Sequence, residues 1–143
     1  MKADTAFVSC VKSKLDHAAP AKDLYMPSAW FQKARAYAEK HARTWYILSA
    51  KHGCIHPDTV IEPYEATLNG LGVEKRAAWA RMVSKQFDDL ERDLCGSKAV
   101  ILAGLSYRRG LITPLEKMYG EVEVPMEGLM MGEQLSWLNW RLQ

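Results

Sequence analysis

Thr44-Trp45-Tyr46-Ile47-Leu48-Ser49-Ala50-Lys51-His52-Gly53 changes character halfway along. The first six residues are aromatic, β-branched and apolar, as a strand buried on both faces requires. The last four are small, cationic or titratable, and Gly53 permits a sharp turn. Two other stretches repeat the design. Thr5-Ala6-Phe7-Val8-Ser9-Cys10 runs into Val11-Lys12-Ser13-Lys14, and Lys98-Ala99-Val100-Ile101-Leu102-Ala103-Gly104 runs into Leu105-Ser106-Tyr107-Arg108-Arg109. Each is predicted to be a strand that empties into a polar loop.

Helical patterns separate these strands. Ser28 is placed to cap a helix in which Trp30, Ala34, Tyr37 or Ala38, and His41 recur at helical spacing up to Ala42. From Val73 to Leu94, Trp79, Val83, Phe87, Leu90 and Leu94 form one stripe, with Lys75, Arg81, Lys85, Asp89 and Arg92 mostly off it, before Gly96. Thr113-Pro114-Leu115-Glu116 reads as a capping box with proline at the first helical position. A short strand is predicted from Glu121 to Val124 and a last helix from Gly132 to Leu142, with Trp79, Trp137 and Trp140 as core. The prolines predict irregular chain around Asp23-Leu24-Tyr25, and Gly53, Pro57 and Pro63 predict a long loop. Strands joined by such crossovers must pair mostly in parallel. The expected fold is therefore a single α/β domain over residues 1–143, a three-layer α/β/α sandwich whose ligands bind beyond the carboxyl ends of the strands.

The 143 residues, 48% hydrophobic and 25% charged, suit one packed domain and exclude disordered, collagenous or disulfide-framework classes. No apolar run approaches the roughly 18 residues of a membrane helix, and Met1 to Cys10 is too short and polar for a secretory leader. A cytoplasmic protein with no membrane partner is expected. Cys10, Cys54 and Cys95 are odd in number and far apart, so reduced thiols are expected. The net charge of +2 hides an asymmetry. Residues 1–56 hold nine Lys/Arg, four Asp/Glu and all four histidines, and the remainder holds ten Lys/Arg against thirteen Asp/Glu. A basic front half points to a local anion site, phosphate being the commonest occupant.

The chemistry-bearing residues cluster at the three strand ends. Ser9, Cys10, Lys12 and Lys14 offer hydroxyl, thiol and ammonium groups that can cradle a phosphate or activate a nucleophile. Asp23 beside Tyr25 pairs a carboxylate with an aromatic ring, as Glu65 does beside Tyr64. Ser49, Lys51, His52 and Gly53 place a fixed charge and a titratable donor where the backbone can approach a ligand. Gly104, Ser106, Tyr107 and Arg108 suit a base or a phosphate, with Ser106 capping a short helical turn. His52, Cys54 and His56 are metal-capable but lack CxxC or HExxH spacing and a fourth ligand, so neither metal nor cofactor is expected. Neither GxGxxG nor GxxxxGK[ST] occurs, which disfavours nucleoside-triphosphate hydrolysis.

Taken together, Val8-Ser9-Cys10 with Lys12 and Lys14, Ala21-Lys22-Asp23-Leu24-Tyr25, Leu48-Ser49-Ala50-Lys51-His52-Gly53, Pro63-Tyr64 before Thr67-Leu68, and Gly128 with Gly132-Glu133-Gln134-Leu135 resemble small bacterial and phage proteins catalogued as a domain of unknown function. That family is similar, more distantly, to enzymes with a uracil-DNA-glycosylase-like α/β fold, which process bases in DNA or tRNA. The glycosylases' Gly-Gln-Asp-Pro motif has no counterpart after the first strand, and Asp23 is the positional substitute for its aspartate. The resemblance implies a DNA or nucleotide substrate. The expected activity is cleavage of the N-glycosidic bond of a modified base. Tyr25 or Tyr64 would stack, Lys51 and His52 would stabilise the departing base, Asp23 or Glu65 would direct water, and Lys12, Lys14 and Arg108 would hold phosphates. The rivals are a nucleic-acid binding module without turnover and a lysine-dependent base-modification enzyme using Lys12 or Lys51.

Overall fold

The computed structural model describes residues 2–94 and 96–143, apart from the side chains of 91–94. The side chains of Leu94 and Arg92 of the predicted helix pattern, and Cys95 altogether, therefore lie outside the described residues. The central sheet has five strands in the order β4-β3-β1-β6-β7. These are β1 (Ala3–Ser9), β3 (Ala42–Ser49), β4 (Gly53–Ile55), β6 (Lys98–Leu102) and β7 (Glu121–Glu123). β1 pairs in parallel with β3, Phe7 opposite Tyr46, and with β6, Val8 opposite Leu102. β6 and β7 are parallel too, whereas β4 folds back antiparallel on β3. The chain is thus a mixed α/β fold with a mostly parallel sheet.

Alternation along the strands assigns the helices to two faces. Phe7 and Tyr46 point one way, where Phe7 meets Phe87 of α3 (Val73–Leu94) and Tyr119 of α5 (Ile112–Tyr119). Trp45 points the other way, against Phe31 of α2 (Ala29–His41), on which α6 (Met131–Arg141) packs. Ser28 caps α2 as predicted, its hydroxyl accepting from Phe31 N at 3.1 Å. No helix of the described residues is long and apolar enough to cross a membrane.

Several local expectations are corrected. The segment before Tyr25 is regular: β2 (Ala19–Pro20) pairs with β5 (Val60–Ile61), and α1 (Ala21–Leu24) follows at once. Bonds from Ala21 N to Thr59 O and Lys22 N to Pro57 O organise it, and these also give structure to the predicted loop after Gly53. The capping box at Thr113 does not form. Leu111 occupies the cap position without a side-chain bond, because burial of Leu111 and Leu115 draws the helix start forward and leaves Thr113 in the first turn. The last helix, expected from about Gly132, spans Met131–Arg141, with Glu133 accepting from Met130 N at 2.9 Å. Trp140 is 65% exposed, not core, because it faces away from the α2 contact and lies beside Arg141. Gly104, not Ser106, caps the short helix α4 (Leu105–Arg108).

Candidate functional site

The parallel strands deliver their carboxyl ends to one edge of the sheet. The chain leaves β1 through α2 to reach β3 on one side, then crosses through α3 to β6 on the other, so strand order reverses at β1. A crevice is expected at that reversal. Cys10, the first residue beyond β1, ties the three ends together. Its N–H donates to Leu48 O at 2.9 Å, its sulfur receives Ala50 N at 3.4 Å, and its thiol faces Tyr107 Oη of α4 at 3.6 Å.

Ser49 anchors the neighbouring turn. Fully buried, its Oγ accepts from Lys51 N at 3.2 Å and His52 N at 3.0 Å and bonds Tyr64 Oη at 2.7 Å. Tyr64 Oη in turn lies 2.6 Å from Tyr25 Oη, which makes a chain of three hydroxyls. Gly53 completes the turn at φ +76°, and a Cβ there would collide with Gln86, whose amide accepts from Cys54 N at 2.7 Å and donates to His52 O at 2.9 Å. Trp79 braces the turn from α3 by donating to Ser49 O at 3.0 Å, its ring edge-on to Tyr107.

The Lys14 ammonium lies 4.7 Å from the Tyr64 ring centroid and 5.8 Å from that of Tyr25. Partial burial lowers its pKa below the ordinary lysine value, against the opposing pull of Cys10 and Glu65. His52 packs edge-on to Tyr64 at 5.6 Å, and its pKa is lowered first by burial and then by the Lys51 charge, which favours neutral imidazole. Burial raises the phenols of Tyr25 and Tyr64 and pushes Tyr107 up to about 12, so all three remain hydroxyl groups at neutral pH. The Cys54 thiol, pushed up to about 12 by burial, is a packed core group.

Of the residues expected to act, the fold gathers Cys10, Lys14, Tyr25, Ser49, His52, Gly53, Tyr64 and Tyr107. Ser9 is buried beneath them, its hydroxyl donating to Cys10 O. Tyr25 is enclosed and packs on Phe31 at 5.1 Å, so it supports the hydroxyl chain and has no free face on which a base could stack. Lys12, Lys51 and Glu65 are exposed around this group. Asp23 is engaged elsewhere. Its carboxylate meets Arg35 Nη1 at 3.0 Å, and the same nitrogen donates to Lys22 O, which fastens α1 to α2.

Two cavities flank α4. One of about 270 Å³ lies against α3 and includes Ser106, Ala77, Ala80 and Arg109. The other, about 230 Å³, lies beyond the ends of β6 and β7 and includes Gly104, Arg108 and Gln134. Arg108 is held within the protein, donating to Ala103 O at 3.0 Å and lying 3.7 Å from Glu127. Sequence reasoning missed Gln86 and the polar role of Trp79, because an indole in a helical stripe reads as core. Among the described residues no group of three His, Cys, Asp or Glu could hold a metal. His56 instead lies 3.8 Å from Asp58, with its ring edge-on to Tyr46.

The assembly offers protonated phenols, a partly desolvated ammonium, a neutral imidazole and a thiol at one strand edge. One family model, described as a family of unknown function (DUF6884), matches residues 5–140. No curated protein and no solved structure matches the chain.

Proposed function

The chain belongs to that family, DUF6884, and from the site it carries we propose a nucleobase-processing enzyme acting on DNA, a glycosylase-like hydrolase of a modified base. The observation that carries the reading is the convergence of Cys10, Lys14, Ser49, Tyr64 and Tyr107 at the edge where strand order reverses. A departing base carries negative charge, and the reaction needs donors fixed in advance where that charge develops. Lys14 and His52 are those donors, held by the Tyr64 ring and the Ser49 turn. Glu65, exposed and close enough to Lys14 for their charges to interact, is the carboxylate that directs water; Asp23 is committed to Arg35. Water adds to C1′ and gives a proton to Glu65 while the C1′–N bond breaks and its electron pair leaves with the base, which takes a proton from the Lys14 ammonium while neutral His52 donates a hydrogen bond to it. Lys12 and Lys51 meet the phosphates. On this reading the fold is uracil-DNA-glycosylase-like, and the mostly parallel sheet with the site at its strand ends supports it.

A second reading, lysine-dependent base modification, is favoured by the lowered pKa of Lys14, since a larger neutral fraction makes a better nucleophile. Incubation with DNA carrying a panel of modified bases separates the readings. Hydrolysis leaves abasic sites, and Glu65→Gln lowers their yield roughly 100-fold. Borohydride trapping of a Lys14–DNA adduct supports the second reading instead. Binding without base release or adduct leaves only a recognition module.

A further inference from the structure

We infer that the cavity beyond β6 and β7 is a base-reading subsite and that the base it fits is a 6-oxopurine; this deepens the nucleobase reading above and rests on it for the DNA context. Gly104 is the first observation. Its φ of −68° is open to any residue, and nothing lies within 4 Å of where a Cβ would stand. Glycine suits the cap of α4, but serine, threonine or asparagine would serve that cap as well and neither conformation nor packing requires glycine there, so the missing side chain keeps the space clear for a ligand. The space is about 230 Å³, bounded by Gly104, Arg108, Val124, Met126, Gly128 and Gln134. Drug-sized pockets begin at about 300 Å³, so this one takes a single ring system rather than a whole nucleotide.

The polar side chains that line it, Arg108 and Gln134, present donors. The carbonyls of Ala103, Gly104, Val124 and Met126 already accept bonds from Arg108, Tyr107, Glu127 and Leu129. Gln134 is fixed in orientation, because the Trp30 indole can only donate and meets Oε1 at 2.9 Å. Its Nε2 donates to Leu129 O at 3.0 Å, which leaves one N–H unused. Arg108 spends Nη1 on Ala103 O, and its Nη2 lies 3.7 Å from the exposed Glu127 carboxylate, an ion pair longer than a hydrogen bond, so among the described residues no hydrogen bond engages its Nε–Nη2 edge. Two parallel guanidinium N–H groups match O6 and N7 of guanine. Adenine places an amino donor where O6 should be, and a pyrimidine offers at most one acceptor on that edge. Val124 and Met126 supply apolar surface for the ring.

Calorimetric titration with 2′-deoxyguanosine, deoxyinosine, deoxyadenosine, thymidine and deoxycytidine tests this. Deoxyguanosine and deoxyinosine, which share O6 and N7, should bind about tenfold or more tightly than the others. Gly104→Leu fills the space from an allowed backbone position, so it should abolish that binding with an unchanged thermal melt. Arg108→Lys should erase the preference for deoxyguanosine over deoxyadenosine. Equal affinity for all five nucleosides, no binding of any, binding that survives Gly104→Leu in a folded variant, or competitive displacement of deoxyguanosine by inorganic phosphate overturns the inference. The base-release assay is read separately. Oxopurine binding sensitive to Gly104→Leu, with no DNA processed, sustains this inference and defeats the enzyme reading; base release without the preference does the reverse.

Discussion

Burial acts on His52 more strongly than the neighbouring ammonium does, and that order can be measured. The imidazole should titrate below 6.5 by NMR, and Lys51→Ala should move the midpoint up without restoring the ordinary value. Between the lowered pKa and 6.5 the unfolded chain holds the extra proton, so stability falls as pH falls through that window and levels off below it. A midpoint at or above 6.5 would remove His52 as a neutral donor. Individual candidates were legible because hydroxyl, thiol and ammonium groups crowd the strand ends. Their partners were not. Tyr25 finds Tyr64 39 residues away, and Asp23 finds Arg35 12 residues away, pairings that only the packed fold creates. The neighbouring carboxylates Asp23 and Glu65 therefore looked equivalent, although only Asp23 is tied into a helix contact.

Long elements declared themselves through continuous apolar runs or a 3.6-residue stripe, which is why β1, β3, β6, α2 and α3 were readable. Elements of two to four residues, such as β2, β5 and α1, have no period to read and exist through bonds to distant chain, as Ala21 N to Thr59 O illustrates. Thr113 shows the opposite error, a strong local pattern overruled by burial of Leu111 and Leu115. The two caps make a direct comparison by urea denaturation. Ser28→Ala should cost about 1 kcal/mol, since it orphans Phe31 N, while Thr113→Ala should stay within about 0.5 kcal/mol. Equal losses would mean that Thr113 caps α5 after all.

At the scale of the molecule, the parallel sheet brings exposed cations to the edge that carries the site. Lys12 and Lys51 have no ion-pair partner among the described residues. If both meet phosphates, the logarithm of affinity for single-stranded DNA should fall against log salt with a slope of about −1.4, near −0.7 for each contact. Filter binding across a potassium chloride series measures it, and the paired Lys12→Gln and Lys51→Gln variant should flatten the line. A slope near zero in the unmodified protein would place DNA elsewhere or nowhere.

The outer strands β4 and β7 are each three residues long. Gln86 covers the outward groups at β4, taking Cys54 N and giving to His52 O, while Glu121 and Glu123 hold charge along β7 beside Lys98 at 4.0 and 2.6 Å. Short, capped and charged margins deny a foreign strand the bare ladder on which cross-β growth begins. The apolar middle of the sheet is thereby shielded from templating fibrils, even when many copies are crowded together.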